Sequence, residues 1–318
     1  MIAYLARRAL WGLTVLVAVG LLTFVLAYVA PGDPARAIAG RNASAEAVEN
    51  IRVALGMDRP LLEQMASYVV GVVQLDFGTS YQLNRPVLDI VLERVPATAE
   101  LAIAGVLVAL LVGVPLGVRS AVRPGGMTDR LGILLTSVLV AAPAFLVGYV
   151  LIYAAAFQPA IQWDVRVFPI GGYEPLDLRY LALPALTLGI GLAAYYARLT
   201  RTALLDELHQ DYARTARAKG ASERRVTWRH AFRNALPPVL VQVGLDLGVL
   251  LGGVVIVEAV FSWRGVGKLA IDAVTQEDLP VLLGTVLFAT LCIVVANLLV
   301  DLLIAIIDPR VTLGGSLR

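Results

Sequence analysis

Two carboxylates, Asp246 and Asp301, stand inside the apolar stretches Ala235–Val257 and Val281–Ile307, which carry no other charge. A carboxylate in such surroundings is costly unless it faces a bundle interior, an aqueous path or a hydrogen-bond donor. The chemistry open to them is passage of a substrate or a proton, or a structural hydrogen bond. Asp301 has Asn297 one turn earlier on the same helical face, which favours the structural bond there. Asp246 admits both readings. Gly265-Val266-Gly267-Lys268 approaches a phosphate-binding loop, but Ser262 stands at the first glycine position and Leu269 follows the lysine, so the pattern fails. Any nucleotide is therefore handled by another chain. His209 and His230 are the only histidines and Cys292 the only cysteine. Their spacing gives neither a metal-ligand set nor a nucleophile beside a base, and one cysteine closes no internal disulfide. The residues predict no catalytic centre, no cofactor and no metal. Asn42-Ala43-Ser44 is a glycosylation sequon at chance frequency.

The elements that must position the two aspartates are membrane helices. Hydrophobic residues make up 58% of the 318, charged residues only 16%, and mean hydropathy is +0.78. A soluble domain carries about 25% charged residues. Six runs are long and apolar: Ala9–Ala30, Leu101–Val118, Leu131–Phe157, Tyr180–Ala197, Ala235–Val257 and Val281–Ile307. A bilayer core of ~30 Å is crossed by roughly 20 helical residues, so each qualifies as a span. Helices are required because backbone groups in lipid must pair within their own segment, and no strand-like alternation offers a barrel instead. The run after Arg7 and Arg8 exceeds a signal core of roughly 7–15 residues and reads as an uncleaved first span. Gly244, Gly248 and Gly252 recur every four residues in span five, a pattern that lets helices approach closely in lipid. Pro143 and Pro184 inside spans three and four predict kinks.

Positive charge sets the orientation. With the N-terminus inside, sixteen Lys/Arg fall in cytoplasmic segments and ten outside. The chain is accordingly read as multi-pass with both termini cytoplasmic. Residues 1–30 are the first span, 31–96 an external insertion, 97–308 the core with an internal loop over 198–234, and 309–318 a cytoplasmic tail. Within the insertion, Ser44–Leu55 and Leu61–Val73 are predicted helices separated by Gly56 and Pro60. The insertion has few apolar residues of its own, so it is expected to pack on the spans or on a partner.

The internal loop carries Asp211-Tyr212-Ala213-Arg214-Thr215-Ala216-Arg217-Ala218-Lys219-Gly220, followed by Ala221 and then Arg224, Arg225, Arg229 and Arg233 up to Pro237. This is a short helix, a glycine stop and a second helix entering span five. A purely topogenic loop would explain the charge but not that unit. Its basic residues beside two spans suit anionic lipid and a protein partner rather than nucleic acid.

Here the chain resembles the permease subunits of ATP-binding-cassette importers, and most closely the B-type subunit of the dipeptide and oligopeptide branch. Arg214, Thr215 and Ala216 stand where the general family loop has Glu-Ala-Ala, and Gly220 matches its glycine. Other stretches agree in order and spacing: Pro31-Gly32-Asp33-Pro34, Asp76-Phe77-Gly78-Thr79-Ser80, Arg85-Pro86-Val87, Glu93-Arg94-Val95-Pro96-Ala97-Thr98, Glu258, Val260-Phe261-Ser262-Trp263, Asn297 to Asp301, and Asp308-Pro309-Arg310. Two positions depart from the branch: Arg264 stands where proline is usual, and Asp246 where the residue is uncharged.

The resemblance implies an all-α membrane protein of the type I importer fold, with six transmembrane helices and an external insertion after the first. It implies a non-catalytic subunit forming half of a peptide pore. The partners would be a second homologous permease subunit, two ATP-binding subunits, an external peptide-binding protein and the lipid bilayer. Arg214, Thr215, Ala216, Arg217, Ala218, Lys219 and Gly220 would couple to an ATPase subunit, while Asp246, Asn297 and Asp301 would be pore or buried polar groups. Related systems carry nickel complexes, haem or other small solutes instead of peptides. Two other classes compete: a proton-driven secondary transporter using Asp246 and Asp301, and an intramembrane enzyme. Neither inverted repeats nor a catalytic constellation supports them.

Overall fold

The computed structural model describes residues 2–29, 35–36, 43–54, 56–74, 76–165 and 167–307. The Pro31-Gly32-Asp33-Pro34 and Asp308-Pro309-Arg310 stretches, Asn42 and the expected tail 309–318 lie outside them. Among the described residues the fold is helical, and its one β feature is an isolated bridge between Thr79 and Pro86. The helices are α1 (Ile2–Val29), α2 (Ala45–Ala54), α3 (Leu61–Val73), α4 (Val87–Leu92), α5 (Val95–Val122), α6 (Met127–Ala141), α7 (Ala144–Leu151) and α8 (Gln158–Trp163). They continue as α9 (Leu178–Leu208), α10 (Asp211–Ala218), α11 (Glu223–Arg225), α12 (Phe232–Leu251), α13 (Val255–Val260), α14 (Val266–Thr275) and α15 (Leu279–Ile307). π-helical turns at Ile152–Phe157 and Val226–Ala231 join α7 to α8 and α11 to α12.

Among the described residues five segments are long and apolar enough to cross a membrane: Val87–Val122, Ala144–Trp163, Leu178–Leu208, Glu223–Leu251 and Leu279–Leu302. With α1, whose apolar stretch is Leu10–Leu26, they make the six expected apolar helices. Their boundaries differ from the apolar runs for local reasons. The run Leu131–Phe157 is not one span. Proline disfavours the helical region for the residue before it, and Ala142 is extended at ψ 124°. Pro143 therefore ends α6 and caps α7, a break rather than a kink. Pro184 behaves otherwise and is carried within α9. Ala235–Val257 is also divided: α12 stops at Leu251, and Gly253, at φ +123°, turns the chain into α13.

The chain forms two compact units. The first comprises 1–99, 248–259 and 264–318. In it α1 packs along α15, and α4 and α14 both pack on α15. A core of Val87, Ile90, Val91, Leu269, Ala273 and Val281 fills the space among these last three elements. The segment before α4 is pinned by Asp278, whose carboxylate accepts from the Ser80 hydroxyl and from the N–H groups of Tyr81 (3.2 Å) and Gln82 (3.3 Å). Two of the three glycines of the span-five stripe are explained here. A Cβ at Gly248 would fall 2.0 Å from that of Ala296, and one at Gly252 3.0 Å from Ala289, so both serve close packing against α15.

The second unit comprises 100–247 and 260–263, with α6 and α7 packed on the long α9. Ala109, Ala193 and Tyr196 form a small core with Val243. Ser262 takes φ +50° and Trp263 is fully buried, with Tyr173 edge-on to it at 4.8 Å.

Candidate functional site: the helix-glycine-helix loop

α10 begins with Asp211 in its first turn and ends with Arg217 in its last, each charge complementing the helix dipole. Its C-terminus closes by a Schellman arrangement. The Ala221 N–H donates to the Ala216 carbonyl at 3.1 Å, and the Gly220 N–H to that of Arg217 at 2.9 Å. That geometry needs a left-handed residue, and Gly220 sits at φ +80°. A side chain at Gly220 would meet nothing within 4 Å, so the glycine is demanded by backbone conformation and not by space.

The two faces of α10 differ. Ala213 is fully buried, and Ala216 and Ala221 pack beside it on a cluster built from Val118 and Ala121 of α5, Leu204 and Leu208 of α9, Val226 and Ala231 of the π turn and Ala235 of α12. Arg217 braces the same side: its guanidinium pairs with Glu223 at 2.8 Å and donates to the Leu208 carbonyl at 3.0 Å. Arg214, Thr215, Ala218, Lys219 and Gly220 are exposed. Arg214 reaches Asp211 at 3.4 Å, and the Thr215 hydroxyl donates to the Asp211 carbonyl. Of the seven residues singled out in the sequence, Ala216 and Arg217 thus fasten the helix inward, and the other five face outward.

The helices behind the loop are held by a group that the sequence did not reveal. Asp129, at the start of α6 and 2% exposed, receives the Arg201 guanidinium at 2.6 and 2.9 Å and the Gly125 N–H at 2.8 Å. The Arg201 fork, then the Gly125 N–H, holds the Asp129 carboxyl below the usual carboxylate range. This ties α6 to α9 two turns before the loop.

Asp246 lies on α12 and accepts from the Tyr196 hydroxyl of α9 at 2.8 Å and from the Gln242 amide one turn back at 2.9 Å. Asp301 does not pair with Asn297 as its spacing predicts. Its carboxylate takes the Arg8 guanidinium of α1, with one bond at 3.1 Å, whereas the Asn297 side chain is exposed. An arginine from another helix satisfies the charge as well as the hydrogen bond, which an amide cannot.

Sequence reasoning also missed what surrounds Glu258, a fully buried carboxylate. It accepts from the Thr98 hydroxyl (2.9 Å) and from the N–H groups of Lys268 (2.8 Å) and Val254 (3.3 Å). Thr98 in turn accepts from the Val266 N–H at 2.8 Å. Burial pushes the Glu258 carboxyl above its usual range, and these donors, led by the Lys268 N–H, work against that. The glycine-rich Gly265–Lys268 stretch thus wraps the chain's own carboxylate, not a phosphate. A Cβ at Gly265 would strike Glu258 at 2.4 Å. The available signal was a glycine-rich turn within ten residues of an acid.

The described residues thus combine apolar, membrane-long helices with a short outward-facing helix anchored on the ends of three of them. Residues 113–313 match the family model described as binding-protein-dependent transport system inner membrane component, and residues 1–102 match that of its N-terminal part. The chain belongs to this family, and is a non-catalytic, multi-pass permease subunit of an ATP-binding-cassette importer that acts with other subunits in a membrane complex. Among curated relatives, the glutathione transport system permease protein GsiC of Salmonella paratyphi A is 40% identical over 311 residues, 98% of this chain and 99% of the relative. The protein of the same name from Escherichia coli K12 is 39% identical over the same shares. A solved structure of the MetNI methionine ABC transporter in inward-facing conformations superposes with a TM-score of 0.51 at 18% identity, covering 69% of this chain and 96% of that one. That likeness concerns the fold alone. Membership sets aside the secondary-transporter and intramembrane-enzyme readings.

Proposed function

We propose that this permease subunit forms half of the pore of an importer for glutathione or similarly short peptides, and that α10 is the element docking into an ATPase subunit. The complex is completed by a second, related permease subunit, two ATP-binding subunits and an external binding protein that delivers the cargo. Both termini and the α10 loop face the cytoplasm in this reading, which the excess of Lys and Arg in those segments supports. Glutathione is itself a tripeptide, so the relatives' name and the peptide-branch motifs point to one cargo chemistry.

The observation that carries the docking role is the two-faced α10. Its outer face is free for a partner, and its inner face is cemented by Ala213 and Ala216 to the ends of α5, α9 and α12. A push on the outside is delivered to three helices at once. The closing and opening of paired ATPases on ATP would thereby rock the pore between its two accesses. Asp246, held by Tyr196 and Gln242, acts as a fastener between α12 and α9. The test is reconstitution of the whole complex in liposomes, reading glutathione or dipeptide uptake together with ATP hydrolysis. Uptake of a nickel complex or haem in preference to peptides would replace the cargo and leave the subunit's role intact. Normal uptake and normal ATPase content after Ala218→Trp and Gly220→Val together would remove the docking role.

A further inference from the structure

Directly after the α10 loop, Ser222, Arg224, Arg225, Trp228 and Arg229 line an open cleft of about 380 Å³. Arg224, Arg225 and Arg229 are all exposed, and no carboxylate pairs with them among the described residues. The one acid in this stretch, Glu223, is engaged by Arg217. Trp228 is 51% exposed although it is the largest apolar side chain in the segment, and its ring leans edge-on against Phe232 at 5.0 Å. Arg224, Arg225, Trp228 and Arg229 fall in the first seven positions of Glu223–Leu251, a segment long and apolar enough to cross a membrane, whose ends would then lie near the bilayer surface. Three cations crowded without an anion repel one another, and a half-bare indole is stable where one side is apolar and the other wet.

We infer that this cleft is a binding site for the phosphate headgroup of an anionic phospholipid, with the arginines on the phosphate and Trp228 at the acyl boundary. Guanidinium groups match phosphate oxygens in pairs, and juxtamembrane basic clusters draw anionic lipid. The site is separate from the exposed residues of α10, so a single loop presents one surface to protein and the next to lipid. The inference rests on the proposed orientation only for the leaflet concerned.

The probe is phosphatidylglycerol against phosphatidylcholine, added to the purified complex and counted as retained lipid by native mass spectrometry. The wild type should retain phosphatidylglycerol in preference. Arg224→Gln, Arg225→Gln and Arg229→Gln should each reduce retention roughly fivefold, the equivalent of about 1 kcal/mol per surface arginine, and the three lysine variants, which keep the charge but not the fork, should fall between these and the wild type. ATPase subunits should co-purify normally with the glutamine variants. If the complex carrying all three falls apart, the single variants decide. Equal retention of both lipids by the wild type overturns the inference. So does loss of ATPase subunits from the glutamine variants with phosphatidylglycerol retention unchanged, since the cleft would then be a protein-docking surface. Ala218→Trp separates the two readings: it should shed ATPase subunits while keeping the lipid.

Discussion

Thr98 and Glu258 lie 160 positions apart, yet one hydroxyl serves both the Glu258 carboxylate and the Val266 N–H. Thr98→Val keeps the shape and removes that hydroxyl, leaving two buried polar groups short of a partner. It should cost on the order of 1–3 kcal/mol, seen as a lower thermal midpoint in detergent, whereas Thr98→Ser should stay near wild type. Asp129 gives a pH dependence with a definite sign. Its folded pKa is depressed, so the stability it contributes is present above the unfolded carboxylate value of about 3.9 and is lost as the pH falls through the folded value. Acid titration should release α6 from α9 in the wild type. In Asp129→Asn that pH-dependent component should be missing from the unfolding curve. Neither group was legible in the sequence. Arg201 looked like one of many cytoplasmic arginines, and its acid is 72 residues away. Glu258 stood out only through family likeness, because its donors are backbone N–H groups and a hydroxyl 160 positions away, and the glycine-rich turn after it reads first as a failed phosphate loop.

At the scale of elements, the order and number of apolar helices were readable because each depends on local composition. Where a helix stops was less so. Pro143 and Pro184 occupy similar apolar surroundings, and only one breaks its helix. The difference is that Ala142, before Pro143, is extended, whereas Pro184 is carried within α9, and proline alone does not say which of the two will happen. The α10 loop was legible as helix, glycine and helix, but not which side of the helix faced in. This changes what substitutions there should do. Ala216→Trp would push into the cluster that fastens α10 and should loosen the loop itself. Ala218→Trp enlarges an exposed position and should reduce bound ATPase subunits without lowering thermal stability. At Gly220 the obstacle is conformational, about 1–2 kcal/mol for an ordinary residue. Asn, which tolerates the left-handed region, should retain more ATP-coupled uptake than Ala, and Val should retain least.

For the whole molecule, the charge distribution makes a prediction about sidedness. In a Cys292→Ala background, a cysteine at Ser44 should react with an impermeant thiol reagent added outside intact cells, and one at Ala221 should react only after the membrane is opened. The reverse pattern would invert the orientation. Native lipid retention and ATPase co-purification, measured on one preparation, would then report the two surfaces of the 211–229 stretch independently.

The pairing of Arg8 with Asp301 joins α1 to α15, 293 positions along the chain. A ribosome delivers Arg8 to the membrane long before Asp301. Until α15 is made, the first helix lacks both that acid and the long helix on which it packs, and keeps only contacts such as Phe24 against Tyr68 of α3. Arrival of α15 locks it in place. A nascent chain halted before residue 301 should therefore display a loosely seated first helix, a feature that membrane proteases could read as the mark of an unfinished subunit. In a pulse-chase, Asp301→Ala should shorten the lifetime of the full-length chain toward that of a truncated one.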